Sequence, residues 1–330
     1  MPELRPAVVI YTKNYVDPTF LYGLSLDVPV VVVDGSGGKI RVNRLNTTVY
    51  SKQDISLILG KSKFQYIPNS SMIGFAAAQA AKEGYDPIIT VEDNCVIPKS
   101  FVEFYIKALT EGPQNLIETN QDFLNTIGLD NFFPRDFPFT LRVAPMWEAK
   151  PVSSEDRHVI AHMGLWRGIL DAAPTNKKLP DRVAYRNYSA YTNGIIPISF
   201  ANFAVRQEAI ACMMPISISN NKASDVLAGI VAQRIISKTK YLVTVGKPTV
   251  NRVSMLQDSL ETTVASVVPE FVEWVDAANA GVKKDTITNM YGDLAQRLQT
   301  IKPKSPLAKS IFASIPQTML NWVEFLQATS

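Results

Sequence analysis

Glu92-Asp93-Asn94 follows directly on Pro87-Ile88-Ile89-Thr90-Val91, a short apolar run of strand character. Acidic side chains massed at the end of a buried strand can hold a hard divalent cation, Mn2+ or Mg2+, against a diphosphate. Asp and Asn also favour turns, so a turn or helix cap is the alternative reading of the tripeptide. Two other apolar runs end in polar segments, Thr12-Lys13-Asn14 and Asp34-Gly35-Ser36-Gly37-Gly38. The second could turn backbone N–H groups toward a phosphate. It lacks the G-x-G-x-x-G spacing and opens no clear helix, which speaks against dinucleotide binding. Arg135 and Arg142 bracket Asp136-Phe137-Pro138-Phe139-Thr140-Leu141. Two guanidinium groups suit a departing diphosphate that needs its charge neutralised, but on spacing alone plain surface arginines are the better reading.

The remaining chemistry-bearing residues form no constellation. His158 and His162 are the only histidines, and Val159-Ile160-Ala161 between them supplies no Glu for a metalloprotease motif. Their stretch reads as a strand that would set both on one face without a third ligand, so ordinary polar or core histidines are expected. No Ser sits in a G-x-S-x-G elbow, and neither Cys95 nor Cys212 neighbours a His. The two cysteines are far apart with no C-x-x-C pair, so no disulfide framework or thiolate zinc site is indicated, and a reducing, cytoplasmic setting is expected.

Strands and helices must position these groups. Residues 7–11, 28–33 and 87–91 read as strands of a parallel sheet covered on both faces, with helices at 54–60 and at 70–83, the latter capped by Ser70 and closed by Gly84. This strand and helix rhythm predicts an open, doubly wound, mostly parallel α/β sheet, whose ligands bind at the strands' carboxyl ends. Residues 112–215 are less periodic, with a strand at 190–198, and 225–237 reads as an amphipathic helix. Three helices are expected beyond, at 264–280, 285–300 and 305–328, forming a C-terminal helical appendage. The predicted division is therefore 1–258 and 259–330. Trp274 and Trp322 are expected to pack on their own core, and a homo-oligomer stays open.

The 330 residues are 46% hydrophobic and 19% charged, which excludes a disordered or fibrous chain. A net charge of +3 is too small for a nucleic-acid footprint. The start is too briefly apolar for a signal peptide, and no run approaches the roughly 20 apolar residues of a spanning helix.

Several short segments, in shared order and spacing along nearly the whole chain, resemble the reversibly glycosylated polypeptides, a family that includes plant UDP-arabinopyranose mutases. Tyr50-Ser51-Lys52-Gln53-Asp54-Ile55-Ser56-Leu57-Ile58-Leu59-Gly60 resembles that family's Y-N-R-N-D-I-N-R-I-L-G, and Glu92-Asp93-Asn94-Cys95 its D-D-D-C. The segment from Arg135 to Arg142 resembles R-G-Y-P-F-S-L-R. Gly164-Leu165-Trp166 and Asp171-Ala172-Ala173-Pro174-Thr175 resemble H-G-L-W and D-Y-D-A-P-T, and Asp225 with Ala228-Gly229 resembles D-D-M-W-A-G.

The resemblance implies a glycosyltransferase A-type fold that binds a UDP-sugar and interconverts its pyranose and furanose rings, with reversible attachment of the sugar to Arg135. Arg142 would be the companion of Arg135, and Asp225 would face the sugar. Asp34 would contact the uridine or ribose, with Thr12 and Asp54 lining the nucleotide pocket. The metal set would be Glu92, Asp93 and Asn94. Three departures qualify this. The last acid of D-D-D is the neutral Asn94, which weakens a cation site. The family's W-H-S-K-A-S-N histidine is missing near Asn251-Arg252-Val253, where Arg252 would supply positive charge to the diphosphate instead. The Gly after the first Arg is Asp136. The alternatives are a transferase to an external acceptor and a non-catalytic nucleotide-sugar-binding subunit.

Overall fold

Two runs of β-branched residues form the centre of the sheet. β1 (Ala7–Thr12) and β2 (Val30–Asp34) are buried along their whole length and pair in parallel. A strand covered on both faces has no solvent side toward which to alternate, so AVVIYT and VVVVD are nearly unbroken apolar runs. In the computed structural model the described residues are 4–12, 21, 23–35, 40, 42, 44–59, 72–119, 121–126, 133–134, 137–138, 141, 147–151, 158–168, 172–173, 189–214, 216–218, 222–223, 225–253 and 262–328.

The other elements follow in chain order. They are β3 (Thr47–Ser51), α1 (Lys52–Leu59), α2 (Met72–Lys82), β4 (Ile88–Glu92), β5 (Cys95–Val96), α3 (Phe101–Thr110), β6 (Asn115–Thr119), β7 (Phe133–Pro134), β8 (Trp147–Pro151), β9 (His158–Gly168) and β10 (Ala172–Ala173). Then come β11 (Ser189–Thr192), β12 (Asn202–Val205), a 3-10 segment (Gln207–Met213), β13 (Ser217–Ile218), β14 (Lys222–Ala223), α4 (Asp225–Ile236) and β15 (Tyr241–Arg252). Four helices end the chain: α5 (Thr262–Asn279), α6 (Ile287–Thr300), α7 (Pro306–Phe312) and α8 (Ile315–Gln327).

The main sheet has the order β3-β2-β1-β4-β12-β9-β15-β11-β6-β8, with β5 paired to β15. β1 to β4, β9, β15 and β8 run one way, and β12, β11, β6 and β5 the other. The expected open, mostly parallel α/β sheet is therefore present, with the antiparallel strands making it mixed. Strand order reverses at β1, which lies between β2 and β4, and this is where such sheets open a crevice for ligands.

One face of the sheet is closed by α2, α4 and α5 to α8. Phe75, Ile230, Phe271, Tyr291 and Trp322 of these helices share one apolar cluster with Val9, Val31 and Val245 of the strands. The other face is closed by α3 with Leu21, Leu24 and Ile97, packed on Val8, Ile10 and Ile89. Trp274 and Trp322 do pack on their own core, at 5% and 1% exposure. Trp274 stacks on Phe312 at 5.4 Å, and its Nε1 donates to the Ile301 carbonyl at 2.8 Å. Such a pair adds about 1 kcal/mol beyond its buried area. The division expected at 258/259 lies outside the described residues.

Several expectations are corrected. The single helix predicted over 305–328 is two, α7 and α8, with Pro316 in the first turn of the second. Inside a continuous helix Pro316 would clash with the Phe312 carbonyl and leave it without a donor; in a first turn its missing N–H costs nothing. The strand predicted over 190–198 ends at Thr192. Beyond it Gln233 stands in for a neighbouring strand: Ile196 N donates to Gln233 Oε1 at 2.8 Å, and Gln233 Nε2 to the Ile196 carbonyl at 2.9 Å. α4 is not amphipathic, since it is buried almost all round between the sheet and the C-terminal helices.

The two histidines do not share a face. β9 shifts register against β15 between Val159 and Ala161, so Ile160 and Ala161 both pack on the α2 side. This bulge leaves exposed His158 and buried His162 on opposite faces. Ser70 and Gly60, the expected cap and stop of the first two helices, lie outside the described residues.

Candidate functional site

The carboxyl ends of β1, β2, β4 and β15 meet at one edge of the sheet. Register places Thr12 beside Asp34, Tyr11 beside Glu92, and Asp34 beside Ser51. Neighbouring strands lie about 4.8 Å apart, so the strand ends adjoin across the switch point, with Thr12 and Asp34 at register positions of one face and Tyr11 and Glu92 of the other. Arg252, the last residue of β15, reaches the same edge: it pairs with Cys95 of β5, and Val253 N donates to the Asn94 carbonyl at 3.0 Å.

Asp34 is 1% exposed, and its Oδ2 accepts from Ile40 N at 3.4 Å. The turn after it folds against β1, with Gly35 N donating to the Thr12 carbonyl at 2.7 Å. A Cβ on Gly35 would lie 2.7 Å from the Tyr11 hydroxyl and 3.0 Å from the Thr12 carbonyl oxygen, so a larger residue there would have to displace the Tyr11 ring. The Thr12 hydroxyl is fully buried and has no hydrogen-bond partner among the described residues. A buried hydroxyl in this state costs about 1–3 kcal/mol, a penalty that a ligand group could relieve.

The acidic tripeptide is tied to Arg252. Arg252 Nη2 donates to Glu92 Oε2 at 2.6 Å, with the two side chains 3% and 13% exposed. Asp93 and Asn94 are also buried, and Asn94 Oδ1 accepts from Cys95 Sγ at 3.4 Å. A hard divalent cation wants several anionic oxygens at about 2.1–2.5 Å. Here one carboxylate oxygen is held by a guanidinium and the third residue offers only a neutral amide. Among the described residues, no three His, Cys, Asp or Glu side chains converge as a metal cage. This departs from the oxygen-rich, anionic donor set that Mn2+ or Mg2+ favours.

The other expected site residues divide. Asp54 is solvent-exposed and closes a capping box on α1: Ser51 N and Ser51 Oγ donate to its Oδ2 at 2.8 and 2.6 Å, and Asp54 N donates back to Ser51 Oγ at 3.2 Å. These bonds hold its carboxyl below the usual carboxylate range. Asp225 opens α4 and its Oδ2 accepts from Phe200 N at 2.9 Å, fastening the segment that leads into β12. Arg135, Arg142 and Asp136 lie outside the described residues.

One neighbour of this edge was not anticipated from sequence. Asn202, paired with Val91 immediately before Glu92, sits in a buried network with Tyr105, Thr249 and the Leu165 carbonyl. Its members are far apart in the chain and no local motif marks them. A Cβ on Gly164 would collide with the Thr249 and Tyr105 hydroxyls, so glycine there makes room for the network.

The chain is 25% identical over 323 residues to the probable UDP-arabinopyranose mutase 1 of Pisum sativum, with 89% of this chain and 82% of that protein covered. Among solved structures it is similar to S. aureus TarS 1-349, with a TM-score of 0.35, 12% identity, and 98% and 91% of the two chains covered. The inositol-1-phosphate CTP transferase from T. maritima gives 0.26, 11% identity, and 82% and 97%. The match described as reversibly glycosylated polypeptide spans residues 27–330, taking in every segment from Tyr50 to Gly229 that carried the resemblance. The chain belongs to the reversibly glycosylated polypeptide family.

Proposed function

We propose that the protein is a UDP-sugar mutase, or a closely related self-glycosylating enzyme, that binds its UDP-sugar along the carboxyl ends of β1, β2 and β4. The observation that carries this reading is the meeting of the strand ends that bear Thr12, Asp34 and Glu92 at the switch point, in a chain of this family. The buried Asp34 carboxylate would accept from the ribose or the base, and the Thr12 hydroxyl would take a partner from the nucleotide. Arg252 would face the diphosphate. The sugar would leave UDP for Arg135: the bond from C1 to the phosphate oxygen breaks, a bond from C1 to a guanidine nitrogen forms, and that nitrogen loses a proton. Arg142 would offset charge on the departing UDP, and Asp225 would orient the sugar through the segment it fastens. A guanidinium is a weak nucleophile while protonated, so Asp136 beside Arg135 would be the group to take the proton.

Similarity of the relative in Pisum sativum makes UDP-arabinopyranose the first substrate to try. The test is intact-protein mass measurement after incubation with UDP-arabinose, UDP-galactose and UDP-glucose, followed by peptide mapping. The expected result is one pentose or hexose increment on the Arg135 peptide, removed by excess UDP and lost in Arg135→Ala. Turnover without a protein adduct would replace this reading with transfer to an external acceptor. UDP binding with neither would leave a binding subunit.

A further inference from the structure

We infer that Arg252 is the resident cation of the diphosphate site and Glu92 its positioning residue, so that UDP is bound without a divalent metal. This rests on the UDP-sugar reading of the strand-end site. Glu92 is then no metal ligand: its Oε2 lies 2.6 Å from Arg252 Nη2, and both side chains are withdrawn from solvent. A metal ion bound to that carboxylate would stand against a guanidinium that cannot lose its proton. Burying two charges is costly unless their geometry is good, so this close pair fixes the Arg252 guanidinium at one place.

The backbone fixes the same placement. β15 delivers Arg252 opposite Cys95, one residue past the tripeptide, and the bond from Val253 N to the Asn94 carbonyl locks the strand end to the turn. Glu92 is itself held by its N–H, which donates to the Ala201 carbonyl at 3.1 Å. Side chain and main chain therefore bind the two segments together.

Charge count points the same way. The D-D-D of the family would carry three negative charges. Here Asn94 removes one of those charges and Arg252 offsets that of Glu92, and the affinity of an oxygen site for a dication falls with its charge. A guanidinium offers a planar fork of donors that matches phosphate oxygens, which a hydrated ammonium does not.

The experiment is titration calorimetry of the full chain with UDP and with uridine, in EDTA and again in excess Mn2+, together with the electron paramagnetic resonance of Mn2+ added to protein and UDP. The expected result is UDP affinity that differs by less than about threefold between the two conditions, with no stoichiometric uptake of Mn2+. Arg252→Met should weaken UDP by at least about tenfold and leave uridine within about twofold, a selective loss that a merely structural residue does not give. Arg252→Lys, which keeps the charge and loses the fork, should fall between; it also serves if the methionine variant fails to fold. Glu92→Gln should weaken UDP and not uridine, and should remain indifferent to Mn2+. UDP binding in Mn2+ and none in EDTA, or uptake of one Mn2+ per chain, would overturn the inference and leave the UDP site standing. Absence of UDP binding under both conditions would instead remove the UDP-sugar reading itself.

Discussion

The Tyr105 hydroxyl donates to Asn202 Oδ1 at 2.7 Å, joining α3 to the first residue of β12 directly beneath the acidic edge. Thr249 Oγ1 donates to the same oxygen at 2.9 Å, and Asn202 Nδ2 donates to the Leu165 carbonyl at 3.0 Å. Burial pushes the Tyr105 phenol well up, so it stays a donor at all working pH values. Tyr105→Phe leaves Asn202 Oδ1 with Thr249 and should cost about 1 kcal/mol. Asn202→Leu leaves the Tyr105 and Thr249 hydroxyls only each other, at 3.3 Å, takes a donor from the Leu165 carbonyl, and should cost about 2–3 kcal/mol. Urea unfolding of both variants checks this. Equal losses would mean that Asn202 does not organise the network.

The contrast between what sequence disclosed and what it hid runs through that network. β1, β2 and β4 were legible because strands buried on both faces leave runs such as Val30-Val31-Val32-Val33, and the polar residues following them mark the strand ends. The switch from Asp34 to Gly35 was legible for the same reason. Tyr105 and Thr249 were not, since they lie 97 and 47 residues from Asn202 and a lone polar residue in an apolar strand has no local signature. The bulge that separates His158 from His162 depends on register against β15, which one strand cannot report. Arg252 could be noticed as a cation near the site, but its bond to Glu92 spans 160 residues and exists only once both strands arrive.

His162 carries a pH prediction. Its ring is fully buried between the edges of Phe104 and Tyr105, with Nδ1 2.8 Å from Thr244 Oγ1, and burial pushes its pKa down to about 3. The folded state therefore keeps the ring neutral where the unfolded chain protonates it. Between about pH 6.5 and pH 3 the unfolded state binds the extra proton, so stability is full above pH 6.5 and falls by about 1.4 kcal/mol per pH unit as the pH drops. Thermal unfolding of the wild type and of His162→Gln across pH 4–7 should show a steeper fall in the wild type. Parallel curves would mean that His162 does not supply the linkage.

The C-terminal helices should unfold with the sheet. Trp322 of α8 is 1% exposed, and its Nε1 donates to the Ala211 carbonyl of the 3-10 segment at 3.2 Å. Phe325, stacked on Trp322 at 5.5 Å, also meets Phe75 of α2 at 5.6 Å. Trp322→Ala should cost about 3–5 kcal/mol. Calorimetry should show one transition in the wild type and one, at lower temperature, in the variant. Two separate transitions in the wild type would support independent units divided near 258/259.

Thr12 sets stability against binding. Its hydroxyl is buried at the end of β1 with no hydrogen-bond partner among the described residues, beside Asp34 on β2. Thr12→Val replaces the hydroxyl by a methyl group of nearly the same size. Removing an unsatisfied polar group without opening a cavity should leave stability unchanged or raise it by about 1 kcal/mol. If the nucleotide supplies the missing partner, the same change should weaken UDP and uridine alike by about tenfold, because the lost contact belongs to the nucleoside and not to the diphosphate. That pattern is the opposite of the one expected for Arg252→Met, where only UDP suffers. Paired urea unfolding and calorimetry on Thr12→Val decide the matter: unchanged affinity for both ligands would place the nucleoside away from the end of β1.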